Sequence, residues 1–284
     1  MIRVVLLGRT GNQLFQYALG RVLAEKHGVP LLMDATWYDA RGWSEVSHFL
    51  NLPLKAKVLR WGTLPSRALR KLTGRHRWEF QGVPFLREAG ADQTFDPRFL
   101  AAPSGCVLFG YFQSPKYFES IAHSLRTELN GLFASEVDAT ALAAALASPG
   151  SIAVHVRRQD YLTHSVFQVC DRGYYQRGME ELRTRVPGAR FFIFSDDPQW
   201  CREEFREADQ EVIDSSRAGA NPLRDLRLMS LASHHLIANS SYSWWAAWLG
   251  EKPGQIVKMP DRWYAGEIVA PIEEKNPGHW EILR

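Results

Sequence analysis

Along the chain, apolar residues recur with two alternating spacings, the run of a buried strand and the three-to-four step of a helix. Ile2 to Leu7 is an apolar, β-branched run broken only by Arg3, and Gly8-Arg9-Thr10-Gly11 follows as a turn. From Asn12 onward, Leu14, Phe15, Ala18, Leu19, Val22 and Leu23 trace one face of a helix. Gly28 and Pro30 supply its stop, and Leu31-Leu32-Met33 opens a second strand. Strand, helix and strand in this order predict a βαβ unit, which implies a parallel sheet.

Tyr117 to Ala147 predicts a helix with Ser148-Pro149-Gly150 as its stop, and a domain boundary is placed there, giving domains 1–148 and 149–284. A second α/β pattern follows. Ser151 to Arg157 and Phe191 to Phe194 read as strands, and Tyr174 to Arg185 and Pro198 to Glu207 as helices. Pro222 to Ser233 then reads as helix, Leu236 to Ala238 as strand, and a last helix begins at Ser243. Between about Gly42 and Gly110 the apolar runs are short and broken by Pro53, Pro65, Pro84, Pro97 and Pro103, and no regular pattern emerges. Internal repeats and low-complexity segments are absent from the sequence.

Composition narrows the class. The 284 residues are 45% hydrophobic and 23% charged, a balance that supports a sizeable core and excludes a disordered or collagen-like chain. A net charge of +3 permits a basic site for an anionic ligand without requiring nucleic acid, so no nucleic-acid partner is expected. Lys55 to Arg77 is rich in Lys and Arg and holds no acid. A solvated face is its ordinary explanation, and peripheral contact with an anionic membrane surface is the alternative. Cys106, Cys170 and Cys201 are odd in number and lack metal-ligand spacing, which predicts free thiols in a reducing compartment. The short apolar run Val4 to Leu7 does not fit a secretory signal, and no stretch approaches a membrane span, so a cytoplasmic location is expected.

In parallel α/β sheets ligands gather beyond the carboxyl ends of the strands, so the residues at those ends carry the chemistry. The first end reads GRTGNQLFQYA: two glycines allow a close turn, and Arg9, Asn12 and Gln13 stand at a helix N-terminus suited to an anion. An ordinary glycine turn with Asn12 as N-cap is the competing explanation. The second, SIAVHVRRQDYL, places Arg157, Arg158 and Asp160 together, and guanidinium forks match phosphate oxygens. Extended backbone would point the two arginines apart, one to a phosphate and the other holding Asp160 or another acid, and a purely structural Arg158–Asp160 ion pair is the competing explanation. The third, ARFFIFSDDPQW, offers Asp197 as a helix cap before Pro198 and Asp196 for hydrogen bonds to a base or ribose. Histidine is missing at metal spacing, so a metal is the weakest reading. The fourth, HHLIANSSYSWWAAWL, puts Ser240, Ser241 and Ser243 at a helix start that could nest an anion, with Trp244, Trp245 and Trp248 packing into the core.

These four segments together resemble the bacterial α-1,2-fucosyltransferases, glycosyltransferase family 11. The family's G-x-x-G-N-Q-x-F-Q-Y-A is Gly8 to Ala18, its H-x-R-R-x-D is His155 to Asp160, its S-D-D is Ser195 to Asp197, and its L-M-S and A-N-S-S-x-S-W-W-x-A-W-L are Leu228 to Ser230 and Ala238 to Leu249. The resemblance implies a GT-B-like α/β fold of two Rossmann-type domains facing a cleft, an N-terminal acceptor-side domain and a C-terminal domain for GDP-β-L-fucose. It implies Arg157, Arg158, Asp160 and Asn12 as catalytic residues, and Arg9, Gln13, His155, Asp196, Ser240, Ser241 and Ser243 as substrate-binding residues. His155 and Asp196 would lie near the guanine and the serines near the phosphate or fucose, with no metal and no cofactor beyond the donor. The implied reaction is an inverting transfer of L-fucose to the 2-hydroxyl of a galactose-terminated glycan, with Asp160, or with less support Asp34 or Asp171, as general base. Transfer of another sugar, such as rhamnosyl or mannosyl, and a non-catalytic nucleotide- or glycan-binding protein are the competing readings.

Overall fold

The computed structural model describes residues 1–39, 47–60, 82–90, 93–137, 140–214, 221–268 and 270–284. The part of the basic stretch from Trp61 to Arg77 lies outside the described residues. The chain divides into two compact units, Met1–Leu125 and Arg126–Arg284.

The first unit opens with β1 (Ile2–Val5), α1 (Thr10–His27) and β2 (Leu31–Asp34), the βαβ unit that the sequence pattern predicts. The turn between β1 and α1 is tight because Gly8 takes φ +66°, and α1 ends where Gly28 takes the left-handed conformation. α1 begins two residues earlier than the apolar spacing suggests. Its N-cap is Arg9, which makes no side-chain cap, so Asn12 sits inside the first turn and is not the capping residue. Short helices α2 (Thr36–Asp39) and α3 (Ser47–Leu50) and strands β3 (Lys57–Leu59), β4 (Phe85–Arg87) and β5 (Val107–Phe109) follow. The strands pair in the order β3-β2-β1-β5-β4, all parallel. The winding direction reverses between β1 and β5, so a topological switch point lies at their carboxyl ends, Leu6–Arg9 and Gly110–Ser114.

Residues 117–147 form no single helix. They contain 3-10 turns, α4 (Ala122–Phe133) and α5 (Ala141–Leu146). The units separate within α4, whereas the sequence pattern placed a boundary at Ser148. α5 packs on β6 and α9 of the second unit, which is why it groups with them.

The second unit continues with β6 (Ser151–Val156), α6 (Gln159–Leu162), α7 (Arg172–Arg185), β7 (Arg190–Ser195), α8 (Pro198–Glu204) and β8 (Gln210–Ile213). It ends with α9 (Pro222–Leu231), β9 (His234–Leu236), α10 (Ser241–Leu249), β10 (Val257–Pro260) and β11 (Glu281–Leu283). The sheet order is β11-β10-β9-β6-β7-β8, again wholly parallel. Counted from its own first strand, this is the doubly wound order 3-2-1-4-5-6, with the switch point between β6 and β9.

Both faces of this sheet are buried, as continuous apolar runs in β6 and β7 require. Ile152, Val154 and Val156 pack with Tyr174, Tyr175, Met179 and Leu182 of α7 on one face. On the other, Tyr242 of α10 reaches His155, with ring centroids 5.5 Å apart. Trp244, Trp245 and Trp248 are buried, and Trp244 donates its indole N–H to Lys275 O at 2.6 Å, so these tryptophans are core. None of the described helices is long and apolar enough to cross a membrane. The three cysteines are free thiols.

Candidate functional site

Parallel register builds the second unit's site. β6 and β7 pair His155 with Phe194 and Val156 with Ser195, so the residues that follow, Arg157-Arg158 and Asp196-Asp197, emerge level with one another. β9 pairs Leu236 with Val154, and the same spacing carried past the strand ends brings Asn239 and Ser240 alongside. Two guanidiniums, three carboxylates and a helix start therefore meet at the switch point.

Arg157 reaches two carboxylates. Its Nε and Nη2 each stand 2.8 Å from Asp160 Oδ1, and Nε lies 3.2 Å from Asp196 Oδ2. The second approach is a charge contact, not an aligned hydrogen bond, since Asp196 Oδ2 has no hydrogen-bond partner. The Arg157 guanidinium also sits 5.8 Å from the Tyr161 ring.

Arg158 is held by the Asp196–Asp197 segment that follows β7. Its backbone N–H donates to Asp196 Oδ1 at 2.8 Å and its Nε to Asp197 Oδ2 at 3.1 Å. Its guanidinium lies 3.8 Å over the Trp200 ring. Asp197 has two tasks, because its Oδ1 caps α8 by accepting from Trp200 N at 3.2 Å. The two arginines take different principal partners, and the ion pair that forms is Arg157–Asp160, not Arg158–Asp160. The chain turns into α6 directly after Arg158, and three residues of helix bring Asp160 back under Arg157.

His155 is 5% exposed, and burial, reinforced by the Arg157 charge, holds its imidazole down to about 3. It is therefore neutral at ordinary pH, and its Nδ1 is buried with no hydrogen-bond partner. Ser240 is the N-cap of α10 and accepts from Tyr242 N at 3.4 Å. Ser241 is half-buried, and Ser243 is buried with its hydroxyl donating to Ser240 O at 3.2 Å.

Three residues that the sequence reading passed over organise this end. Tyr161 donates its hydroxyl to Asn239 O at 2.9 Å and stacks on Phe167 at 5.0 Å. Buried Asn239 donates its amide to Phe167 O at 3.1 Å and Trp263 O at 3.0 Å, and so ties three loops together. Trp200 supplies the platform beneath Arg158. Only Asn239 left a trace in the sequence, as part of the strand-end run Ala238-Asn239-Ser240; the other two partnerships are tertiary.

The first unit has its own strand-end cluster. Arg9 is exposed, while Gln13 is 1% exposed and donates its amide to Gly8 O at 3.3 Å. Tyr38 also donates its hydroxyl to Gly8 O. Asn12 accepts from Gln113 Nε2 at 2.7 Å. Of the alternative bases, Asp34 accepts from Thr36 N at 3.0 Å and Thr36 Oγ1 at 2.6 Å, and Asp171 caps α7 through Tyr174 N at 2.7 Å. Among the described residues, no group of three or more His, Cys, Asp or Glu is arranged to hold a metal ion.

Two wholly parallel α/β sheets, the second presenting paired guanidiniums at its switch point, make the fold that GT-B glycosyltransferases share. The E. coli heptosyltransferase WaaC, solved with ADP-2-deoxy-2-fluoro heptose, shares the fold with a TM-score of 0.51 at 12% identity, covering 100% of this chain and 92% of that one. The chain belongs to glycosyl transferase family 11, whose family model matches residues 92–283. Among its relatives, an α-1,2-colitosyltransferase of Escherichia coli is 28% identical over 276 residues, covering 92% of each chain. The galactoside α-(1,2)-fucosyltransferase 2 of Oryctolagus cuniculus is 24% identical over 254 residues, covering 86% of this chain and 65% of that protein. The chain is thus a fucosyltransferase-like glycosyltransferase.

Proposed function

We propose that the protein transfers L-fucose from GDP-β-L-fucose to the 2-hydroxyl of a terminal galactoside on a glycan, with inversion at the anomeric carbon. The observation that carries this reading is the guanidinium pair at the β6/β9 switch point of a family 11 chain, next to the capped start of α10. As the glycosidic bond breaks, negative charge grows on the departing diphosphate, and a positioned guanidinium stabilises that charge more in the transition state than in the ground state.

In this reading Arg157 is the diphosphate ligand, because it is held by carboxylates that an anion can replace. Arg158 is the strut: its Nε, its backbone N–H and its flat face are all committed to the protein. Ser240 and Ser241 border the phosphates, and Asp196 and the neutral His155 stand on the nucleoside side. Asp160, released from Arg157 when the diphosphate arrives, receives the acceptor's proton. The guanidiniums supply the positive charge, so the reaction proceeds without a metal ion.

A second sugar is favoured by one observation, the colitosyl transfer named for the relative matched over 92% of both chains. The deciding experiment incubates the enzyme with GDP-β-L-fucose and lactose and characterises the product by NMR. An α-linked fucose on the galactose 2-oxygen supports the reading. Turnover only with nucleotide-activated colitose would move the donor to that sugar, and binding of GDP without turnover on any donor would leave a binding protein.

A further inference from the structure

α6 is a single turn, and a helix this short has little stability of its own. It carries Asp160, and the pair that Asp160 makes with Arg157 ties the turn to the end of β6. In the mechanism proposed above, that pair opens when the diphosphate arrives. Another contact must then keep the turn, and with it Arg157, in place. The residue placed to do so is Tyr161.

Tyr161 follows Asp160 in the turn and is anchored at both its ring and its hydroxyl. The hydroxyl donates to Asn239 O at 2.9 Å, and the ring stacks on Phe167 with centroids 5.0 Å apart and planes at 25°. Both anchors are themselves fixed. Asn239 is 2% exposed and its amide donates to Phe167 O and Trp263 O, so one loop holds the ring and helps to hold the carbonyl. The two loops are joined again where Ala265 N donates to Val166 O at 2.8 Å. Burial raises the Tyr161 hydroxyl well above its ordinary value; the Arg157 charge opposes this by less, and the Asp160 charge adds to it. The hydroxyl therefore stays protonated, and a donor, throughout the neutral range.

From this fixed position the ring lies 5.8 Å from the Arg157 guanidinium. The carbonyl that Tyr161 grips belongs to the residue before Ser240, the N-cap of α10. Tyr161 thus spans the gap between two groups that border the diphosphate in the proposed mechanism, the guanidinium and the start of α10. The other groups on Arg157, Asp160 and Asp196, are carboxylates, which an incoming phosphate repels. An aromatic ring attracts a cation without that repulsion. None of the anchors of Tyr161 uses the Asp160 carboxylate, so they survive the opening of the Arg157–Asp160 pair.

We infer that Tyr161 is a positioning residue for the transfer: anchored on Asn239 and Phe167, it keeps the Arg157 guanidinium at a fixed distance from the start of α10 once Asp160 is displaced. This rests on the reading of Arg157 as the diphosphate ligand and adds the group that keeps it aimed.

The test is a double-mutant cycle between Tyr161→Phe and Arg157→Ala, read on GDP affinity by calorimetry and on transfer from GDP-β-L-fucose to lactose. Phenylalanine keeps the ring and loses only the bond to Asn239 O. Tyr161→Phe should lower kcat about 3- to 10-fold and weaken GDP binding about 3-fold, the scale of one neutral hydrogen bond. The KM for lactose should stay within about twofold, since the acceptor is not what Tyr161 positions. Tyr161→Leu, which also loses the ring, should lower kcat about 10- to 100-fold. In the Arg157→Ala background, Tyr161→Phe should cost less than about twofold by either readout, because the group it positions is gone. Thermal melting confirms that Tyr161→Phe keeps the fold. Equal losses in both backgrounds would assign Tyr161 to packing and overturn the inference, as would a raised lactose KM with kcat unchanged. Additive losses in an enzyme that transfers fucose leave the donor assignment standing. Coupled losses of GDP affinity in a protein that does not use GDP-fucose do the reverse: the donor assignment falls and this inference stands. A wild type that binds no GDP overturns both.

Discussion

Arg157 and Asp160 hold each other through one turn of α6, with two guanidinium nitrogens each 2.8 Å from one carboxylate oxygen. With Asp196 and Asp197 included, the strand end brings two guanidiniums against three carboxylates, so an anion entering it competes with groups already in place. Asp160 is the most exposed of the three, and in the proposed mechanism it is the one that an incoming diphosphate displaces.

Asp160→Asn removes that competitor. GDP should bind more tightly, by about 3- to 10-fold at low salt, because one repulsive charge within a few ångströms of the phosphates is gone. Transfer should slow at the same time, because Asp160 is the proposed proton acceptor. Titration calorimetry on the same preparation used for kinetics checks both, and weaker GDP binding would count against the displacement.

Trp200 acts on Arg158 from beneath. Trp200→Leu should lower kcat/KM by about 3- to 30-fold, the range of a partly desolvated cation–π contact, and Trp200→Phe should restore part of it. Equal loss in both variants, with a matching drop in Tm, would assign Trp200 to packing alone.

His155 and His235 are both buried and both held down to about 3, chiefly by burial. Their folded pKa lies below the unfolded value, so the unfolded chain takes up protons first as the pH drops. Their stabilising contribution is whole above about pH 6.5 and is lost as pH falls from there toward 3. At pH 5 the loss is about 2 kcal/mol for each histidine. Urea unfolding at pH 7.5 and pH 5, with His235→Gln beside wild type, measures it: the variant should lose less stability between the two pH values.

In the proposed mechanism guanidiniums stabilise the charge on the diphosphate, so the reaction should continue in EDTA at an undiminished rate. A rate restored only by adding a divalent ion would transfer that role to a metal.

Much of the second unit was legible because β6 and β7 are continuous apolar runs and their ends carry charge. The opening βαβ unit was legible for the same reason. The short strands were not: β3, β4 and β5 have three residues each, too few for any period to register, and prolines interrupt their surroundings. The alanine-rich stretch before Ser148 looked like one long helix, because helix propensity says nothing of the 3-10 turns that tertiary packing imposes there. At the site, the residue types were readable and the pairing was not. Which acid Arg157 meets depends on where α6 starts, and the Trp200 and Gln113 contacts join residues that only the fold brings together. Gln113 lies 101 positions from Asn12.

The division of labour between the two arginines is most directly tested by the transfer of fucose from GDP-β-L-fucose to lactose by wild type, Arg157→Ala and Arg158→Ala. The account predicts that Arg157→Ala loses about 10²- to 10³-fold in kcat with its Tm preserved, and that Arg158→Ala loses less activity and more stability. The reverse order, or an Arg157→Ala enzyme that turns over at the wild-type rate, would contradict it.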